Sequence, residues 1–329
     1  MKKLSIIVPL YNVENCVSLI THSIMNQADT ALERVEVIAV DDGSSDNSLD
    51  VFVSHLYDVD VITLRQENMG PGAARNAGIH VATGEYIMFA DSDDFLLSDA
   101  LENILTVLEK ESPDVLFGKY LRYLPKSGFL KEVVYDVQLS QETHARTEYI
   151  LGSLPESSWN VWRYISRREM IVGQNILFES NMYSEDDPWV IALLESAESI
   201  SFLRDPFYAY HYRRPLSIMN SINPKRIIDL NTVVYDLVNK YQNRDGIVTP
   251  LIWQSFFYIN EYCKFKHPEK KILLDSYRAV LPLYKLSGYW LHRFSSRCRH
   301  EFIFHALSWC LFSVKQVRRL WRRFYDREA

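Results

Sequence analysis

The chain has 329 residues, 47% hydrophobic and 24% charged, with a formal net charge of −6. These are ordinary fractions for a globular protein, and the length admits one large domain or two average ones. No apolar run approaches the roughly 20 residues that span a bilayer, and the four cysteines (Cys16, Cys263, Cys298, Cys310) have no paired or metal-ligand spacing. That usage fits a reducing compartment. The short apolar run after Lys2-Lys3 ends at Pro9-Leu10 without a small-residue cleavage site, so it reads as a strand and not as a signal peptide.

In chain order, the first third alternates strand and helix. Residues 4–8 read as a buried strand, and the spacing of Val17, Ile20 and Ile24 predicts a helix over 14–27. Residues 35–40 form a second strand ending in Asp41-Asp42-Gly43-Ser44, with Ser45 or Asp46 capping a helix to about 55. A third strand covers 59–64, Gly70-Pro71-Gly72 opens a helix to about 81, and 86–89 is the fourth strand. Ser98 or Asp99 would cap the next helix, with Glu102 completing a capping box after Asp99. Residues 114–118 resume strand. Single helices between strands imply βαβ units, hence an α/β fold with a mainly parallel central sheet. The pattern is mixed over about 125–212 and helical from Pro224 onward, which predicts a first region of 1–220 and a helical C-terminal region of 221–329.

The most informative segment is Phe89-Ala90-Asp91-Ser92-Asp93-Asp94. A buried strand that ends in clustered acids delivers them to an open edge, because isolated buried carboxylates are costly. Mg²⁺ typically takes one or two carboxylates plus substrate phosphates, so the segment points to a metal–diphosphate site. Ligands of parallel sheets bind beyond the carboxyl ends of the strands, where Pro9-Leu10-Tyr11-Asn12 and Asp41-Asp42-Gly43-Ser44 also fall. Asp42 reads as an acceptor for a nucleobase N–H or as an Asx turn. Arg75, in the first turns of the helix after Gly72, could reach a base or a phosphate, or lie on a solvated face. Glu185-Asp186 is explained by helix capping and dipole effects unless the fold brings it beside Asp93, where it becomes a general base. His211 is a competent metal ligand and Arg213 a phosphate ligand. Trp159 and Trp162 line a sugar cleft or simply fill the core.

The chain resembles the family 2 glycosyltransferases with a GT-A fold. The resemblance rests on Ser5-Ile6-Ile7-Val8-Pro9-Leu10-Tyr11-Asn12, Val40-Asp41-Asp42-Gly43-Ser44-Ser45-Asp46, Gly72-Ala73-Ala74-Arg75-Asn76-Ala77-Gly78, Gly84-Glu85-Tyr86-Ile87, Asp91-Ser92-Asp93-Asp94 and Glu185-Asp186, in that order and spacing. It implies that Pro9, Tyr11, Asp42, Arg75, Asp91 and Ser92 form the nucleotide pocket. It implies Asp93 as ligand of a Mn²⁺ or Mg²⁺ ion, with Asp91 and His211 in attendance, and Asp186 as catalytic base supported by Glu185. Trp159, Trp162 and Arg213 would face acceptor or diphosphate. The implied reaction is inverting transfer from a nucleotide sugar, a UDP-sugar foremost, to a bacterial surface glycan. Relatives often carry Gly before Glu-Asp, where this chain has Ser184. Two other classes share the site: a sugar nucleotidyltransferase, and a non-catalytic nucleotide-sugar-binding membrane module.

Residues 278–329 hold eleven Lys/Arg against three Asp/Glu, and residues 289–323 mix them with aromatics such as Trp290, Phe294, Trp309 and Trp321. Such basic, aromatic helices lie in membrane interfaces, and the lipid-linked acceptor that the resemblance implies would place the chain on the cytoplasmic face of the membrane. A helical subdomain or a contact between copies of the chain also fits. An acidic body and sugar-transfer motifs argue against nucleic acid.

Overall fold

The computed structural model describes residues 2–124, 129–132, 147, 150–151, 159–211, 223–244, 247–248 and 251. The chain divides into two compact units, Met1–Asn220 and Ser221–Ala329. The described elements of the first unit are β1 (Leu4–Leu10), α1 (Ser18–Met25), α2 (Asp29–Leu32), β2 (Val35–Asp41), α3 (Ser48–Ser54), β3 (Asp60–Arg65), α4 (Pro71–Val81), β4 (Tyr86–Phe89), β5 (Phe95–Leu96), α5 (Ala100–Glu111), β6 (Val115–Leu124), β7 (Phe129–Glu132), β8 (Tyr164–Arg167), α6 (Arg168–Gly173), α7 (Asp186–Ser196) and β9 (Ile200–His211). In the second unit, α8 (Pro224–Lys240) starts with Pro224 at its first turn and with the Asn223 side chain accepting from the Lys225 N–H. Its buried face includes Ile227, Leu230, Val234, Leu237 and Val238.

The sheet runs β3-β2-β1-β4-β8-β6-β9-β5, with β7 on β6. The four strands β3, β2, β1 and β4 are parallel. Beyond β4 the pairings with β8 turn antiparallel, β6 and β9 run parallel, and β5 closes the edge antiparallel to β9. The parallel half is the part that hydrophobic patterning predicts, because strands buried on both faces read as continuous apolar runs. Pairing direction in the other half is set by chain connections, which patterning does not record.

The strand order reverses at β1, with β2 on one side and β4 on the other, so the crevice beyond these strands is a switch point. Pro9 lies at this place. Leu4 and Leu10 bond toward β2, whereas Ile7 accepts from Ala90 on the β4 side, so Pro9 faces β4. The last β1–β4 pair is Ile7 with Phe89, so the N–H that proline lacks would meet no ladder partner. The strands part where the site begins.

Two helix starts differ from their sequence signals. α1 begins at Ser18, later than residue 14, because the preceding turn is tied to the loop after β2: Val13 N–H donates to Ser48 Oγ at 2.7 Å and Glu14 N–H to Asp46 Oδ2 at 3.2 Å. The expected capping box of α5 does not form. Asp99 is left-handed at φ 58°, and its side chain makes no cap hydrogen bond.

Among the described residues no helix is long and apolar enough to cross a membrane. Arg213 and the basic, aromatic segment 289–323 lie outside the described residues.

Candidate active site

The loops leaving β1 and β2 are laced together first. Asn12 Oδ1 accepts from Ser45 N–H at 2.8 Å, and Asn47 N–H donates to Glu14 Oε2 at 2.9 Å. No Asx turn is seen at Asp42, whose bonds go elsewhere; its neighbour Asp41 closes the loop instead, Oδ1 accepting from Ser44 N–H, three residues on, at 2.9 Å. Asp42 is buried and anchors the approach to α4. Its Oδ1 accepts from Gln66 Nε2 (2.7 Å) and Met69 N–H (2.9 Å), and its Oδ2 from Gly70 N–H (2.8 Å). Gly70 sits at φ +86°, a conformation that suits glycine, before Pro71 starts the helix. Tyr11, by contrast, is 48% exposed at the end of β1.

One turn into α4, Arg75 is buried and joins three carboxylates from distant parts of the chain. Its Nη1 donates to Glu185 Oε1 at 2.8 Å and to Asp186 Oδ1 at 3.1 Å; its Nη2 donates to Asp91 Oδ1 at 3.2 Å. The guanidinium also lies 5.3 Å from the centre of the Phe178 ring. Gly72 makes the approach possible, since a Cβ there would stand 2.7 Å from the Glu179 carbonyl and 3.2 Å from Glu185 Cγ. Glu185 and Asp186 thus meet the end of β4 through Arg75. Side-chain capping does not account for Glu185, which makes no cap bond, whereas Asp186 and Asp187 sit in the first turn, where the helix dipole favours acids.

Three carboxylates sharing one guanidinium leave the cluster electrostatically unequal. Burial works against Arg75's charge, but Asp186, Asp91 and Glu185 outweigh it and hold the guanidinium ionised beyond its usual range. Asp186 is pushed well above the ordinary carboxylate range, chiefly by burial, with Arg75 pulling the other way and Glu185, Asp91 and Asp187 adding repulsion. The side chain keeps 28% of its exposure, so solvent softens that push.

The acidic motif splits into separate roles. Asp94 is buried, with Oδ2 accepting from the Tyr208 hydroxyl at 2.9 Å and Oδ1 from His211 N–H at 2.7 Å. The same hydroxyl accepts from Asp91 N–H at 2.9 Å, so Tyr208 pins the turn that carries Asp91, Ser92 and Asp93. Burial, then Asp93 and Asp91, push the Asp94 carboxyl well above its usual range. Ser92 is buried beside it. His211 Nδ1 lies 3.2 Å from the Asp93 carbonyl, while its Nε2 is buried and bonds no described residue. Among the described residues, no group of three or more His, Cys, Asp or Glu is arranged to hold a metal ion.

Trp162 requires a correction. Its ring is 2% exposed and stacks on Tyr208 at 4.5 Å and 11°. It is core, where it buttresses Tyr208, and does not line a cleft. Trp159 is half-buried in the turn before it. Tyr208, Gln66 and Phe178 are site-building residues that no sequence motif marks, and Asp94, which lies in the acidic motif, is a structural anchor there; their roles arise from contacts across 24 to 117 positions.

Residues 5–182 match the sequence pattern of Glycosyl transferase family 2. The chain is 31% identical over 217 residues to an uncharacterised glycosyltransferase, EpsJ, of Bacillus subtilis, covering 63% of this chain and 60% of that protein. It is 33% identical over 220 residues to the poly(ribitol-phosphate) beta-glucosyltransferase of Bacillus spizizenii, covering 64% of this chain and 32% of that protein. The matched region therefore spans well under two thirds of these relatives' own length. In fold, the chain is similar to residues 1–349 of S. aureus TarS in complex with UDP-GlcNAc, with a TM-score of 0.64 at 21% identity over 87% of this chain and 82% of that one. The ordered motifs, the switch-point crevice and the profile match across more than half the chain together show that it belongs to glycosyl transferase family 2 and has the GT-A fold.

Proposed function

We propose that the chain is an inverting, cation-dependent glycosyltransferase that moves a sugar from a nucleotide sugar, a UDP-sugar foremost, to a hydroxyl of a growing bacterial surface glycan. The observation that carries this reading is Arg75's simultaneous hold on Asp91, Glu185 and Asp186, which unites the end of β4 with the start of α7. Relatives named for transfer onto poly(ribitol-phosphate), and a similar fold solved with UDP-GlcNAc, support the donor and acceptor classes.

In this reading Asp186 takes the proton of the acceptor hydroxyl as its oxygen attacks the anomeric carbon. The bond from that carbon to the diphosphate breaks, the nucleoside diphosphate leaves with the electron pair, and the configuration inverts. The upward push on Asp186 suits a base whose proton affinity must approach that of its working pH. Arg75 keeps Glu185 and Asp186 at the same edge as Asp91, and Tyr208 with Asp94 holds the acidic turn in place. Asp93, a hard oxygen ligand, and His211, whose buried Nε2 bonds no described residue, would hold a divalent cation only with substrate phosphates completing its shell, since the described residues gather no group of three ligands. When bound there, such a cation would offset charge on the departing diphosphate. The basic, aromatic C-terminal segment supports a place on the cytoplasmic face of the membrane beside a lipid-linked acceptor.

The test is UDP release from a panel of UDP-sugars, with Mn²⁺ and with chelator, for wild type, Asp93→Ala and Asp186→Asn. Release from one donor, lost with chelator and in Asp93→Ala, is expected, as is UDP binding without transfer in Asp186→Asn. Full activity in either variant overturns that residue's role, and release of pyrophosphate would identify a nucleotidyltransferase instead.

A further inference from the structure

A cavity of about 320 Å³ lies between α1 and the segment that follows the acidic turn, outside the carboxylate cluster. Leu19 and His22 of α1, Asn26 just past its end, and Phe95, Ser98 and Tyr123 line it. Its floor is structurally committed: Gln27 Nε2 donates to the Leu97 carbonyl at 3.0 Å, Gln27 Oε1 accepts from Leu101 N–H at 3.1 Å, and Ser23 Oγ accepts from Leu96 N–H at 3.0 Å. The side chains of His22, Asn26 and Ser98 are exposed, and the His22 ring meets that of His55 edge to face at 4.8 Å. Phe95 and Tyr123 meet edge to face at 5.3 Å.

Among the described residues, no Asp, Glu, Lys or Arg lines the cavity. A phosphate or a nucleotide would find no cation there. The lining combines aromatic rings with an amide, a hydroxyl and an imidazole, a set that suits a neutral ligand with one apolar face and several hydroxyls. The volume is at the small end of ligand pockets, about 300–1,000 Å³, and suits a single ring. Tyr123 also packs edge to face on His211 at 5.4 Å, so one aromatic ring separates the cavity from the candidate cation ligand.

We infer that this groove is a second carbohydrate site that holds one neutral pyranose ring of a glycan. The sugar's apolar face packs on Phe95 and Tyr123, and its hydroxyls bond to His22, Asn26 and Ser98. A glycan extending from the transfer site past Tyr123 reaches it. That the glycan is the acceptor rests on the proposed function; sugar binding in the groove does not.

The test uses the full chain with excess UDP at pH 7.5 and three probes: the methyl β-glycosides of glucose, galactose and N-acetylglucosamine. Saturation-transfer NMR detects binding and calorimetry measures affinity. At least one glycoside should bind, and His22→Ala with Asn26→Ala should weaken it about tenfold, as expected for one or two lost hydrogen bonds, with UDP affinity unchanged. Binding of no glycoside, or equal binding to the double variant, overturns the groove. Glycoside binding that the double variant weakens, in a chain that fails to bind UDP, overturns the donor reading and leaves the groove standing.

Discussion

Glu36 at the amino edge of the parallel sheet and Asp94 and Asp186 at its carboxyl edge meet opposite surroundings. At the amino edge, Glu36 accepts from Ser5 Oγ (2.6 Å), Thr83 N–H (2.6 Å), Thr83 Oγ1 (2.8 Å) and Gly84 N–H (3.2 Å). Burial raises its proton affinity, but these donors outweigh it and hold the carboxyl below its usual range. At the carboxyl edge, Asp186 and Asp94 meet burial and other carboxylates, and both are pushed up. Burial is common to both edges, so the neighbours decide: donors favour the charged form and like charges disfavour it. The amino edge is satisfied and structural. The carboxyl edge keeps an electrostatic imbalance, as functional sites do.

Four experiments probe this contrast, from the largest expected effect to the smallest. Asp186→Asn should lower transfer by about 10²–10⁴-fold, the usual contribution of a general base, with UDP affinity retained. Because the base must be ionised, the wild-type rate should rise with pH through a value above the ordinary carboxylate range; a midpoint within that range would remove the contrast. Arg75→Met leaves Asp91, Glu185 and Asp186 without their guanidinium. Loss of one partner of a buried ion pair costs about 3–5 kcal/mol. The lower end is expected in urea unfolding, because Asp91 and Asp186 keep 32% and 28% side-chain exposure. With Asp186's proton affinity raised further, this variant should regain stability as pH falls, and lose it as pH rises.

Glu36→Gln should cost about 1–3 kcal/mol, the penalty for unmatched buried donors, with the turnover of folded enzyme unchanged. The pH signature is opposite in sign. Glu36's folded proton affinity is lowered, so its stabilisation is present above the ordinary value of 4.5 and is lost as pH falls through the lower folded value. The Gln variant should lack that slope, measured as unfolding free energy against pH. Lys3→Met removes the 2.6 Å pair with Glu85 at the same edge and should cost only about 0.2–1 kcal/mol by thermal unfolding. A loss of transfer in either amino-edge variant would mean the two edges are not separable.

Much of the carboxyl edge is legible in the chain itself. Residues 86–89 are apolar and are followed by Asp91, Asp93 and Asp94, and an acidic end to a buried strand has few structural uses. Asp42 is legible as special, but its partners are not. The groups it accepts from, Gln66 and the N–H groups of Met69 and Gly70, lie 24 to 28 positions away. Trp162 shows the converse. An aromatic near a motif reads equally as cleft or core, and only its stack on Tyr208 decides.

The sequence by itself determined the alternation of strand and helix, the βαβ half of the sheet and the edge to which the acids are delivered. Those are local properties: apolar periodicity, turn residues and short-range motif spacing act within a few residues. Tertiary structure decided which carboxylates share Arg75, that Tyr208 and Asp94 hold the acidic turn, and that Trp162 is core. Arg75 and Asp186 are 111 positions apart, and Tyr208 and Asp94 are 114 apart. Their chemistry depends on burial and on neighbouring charge, which come into being only when the sheet closes.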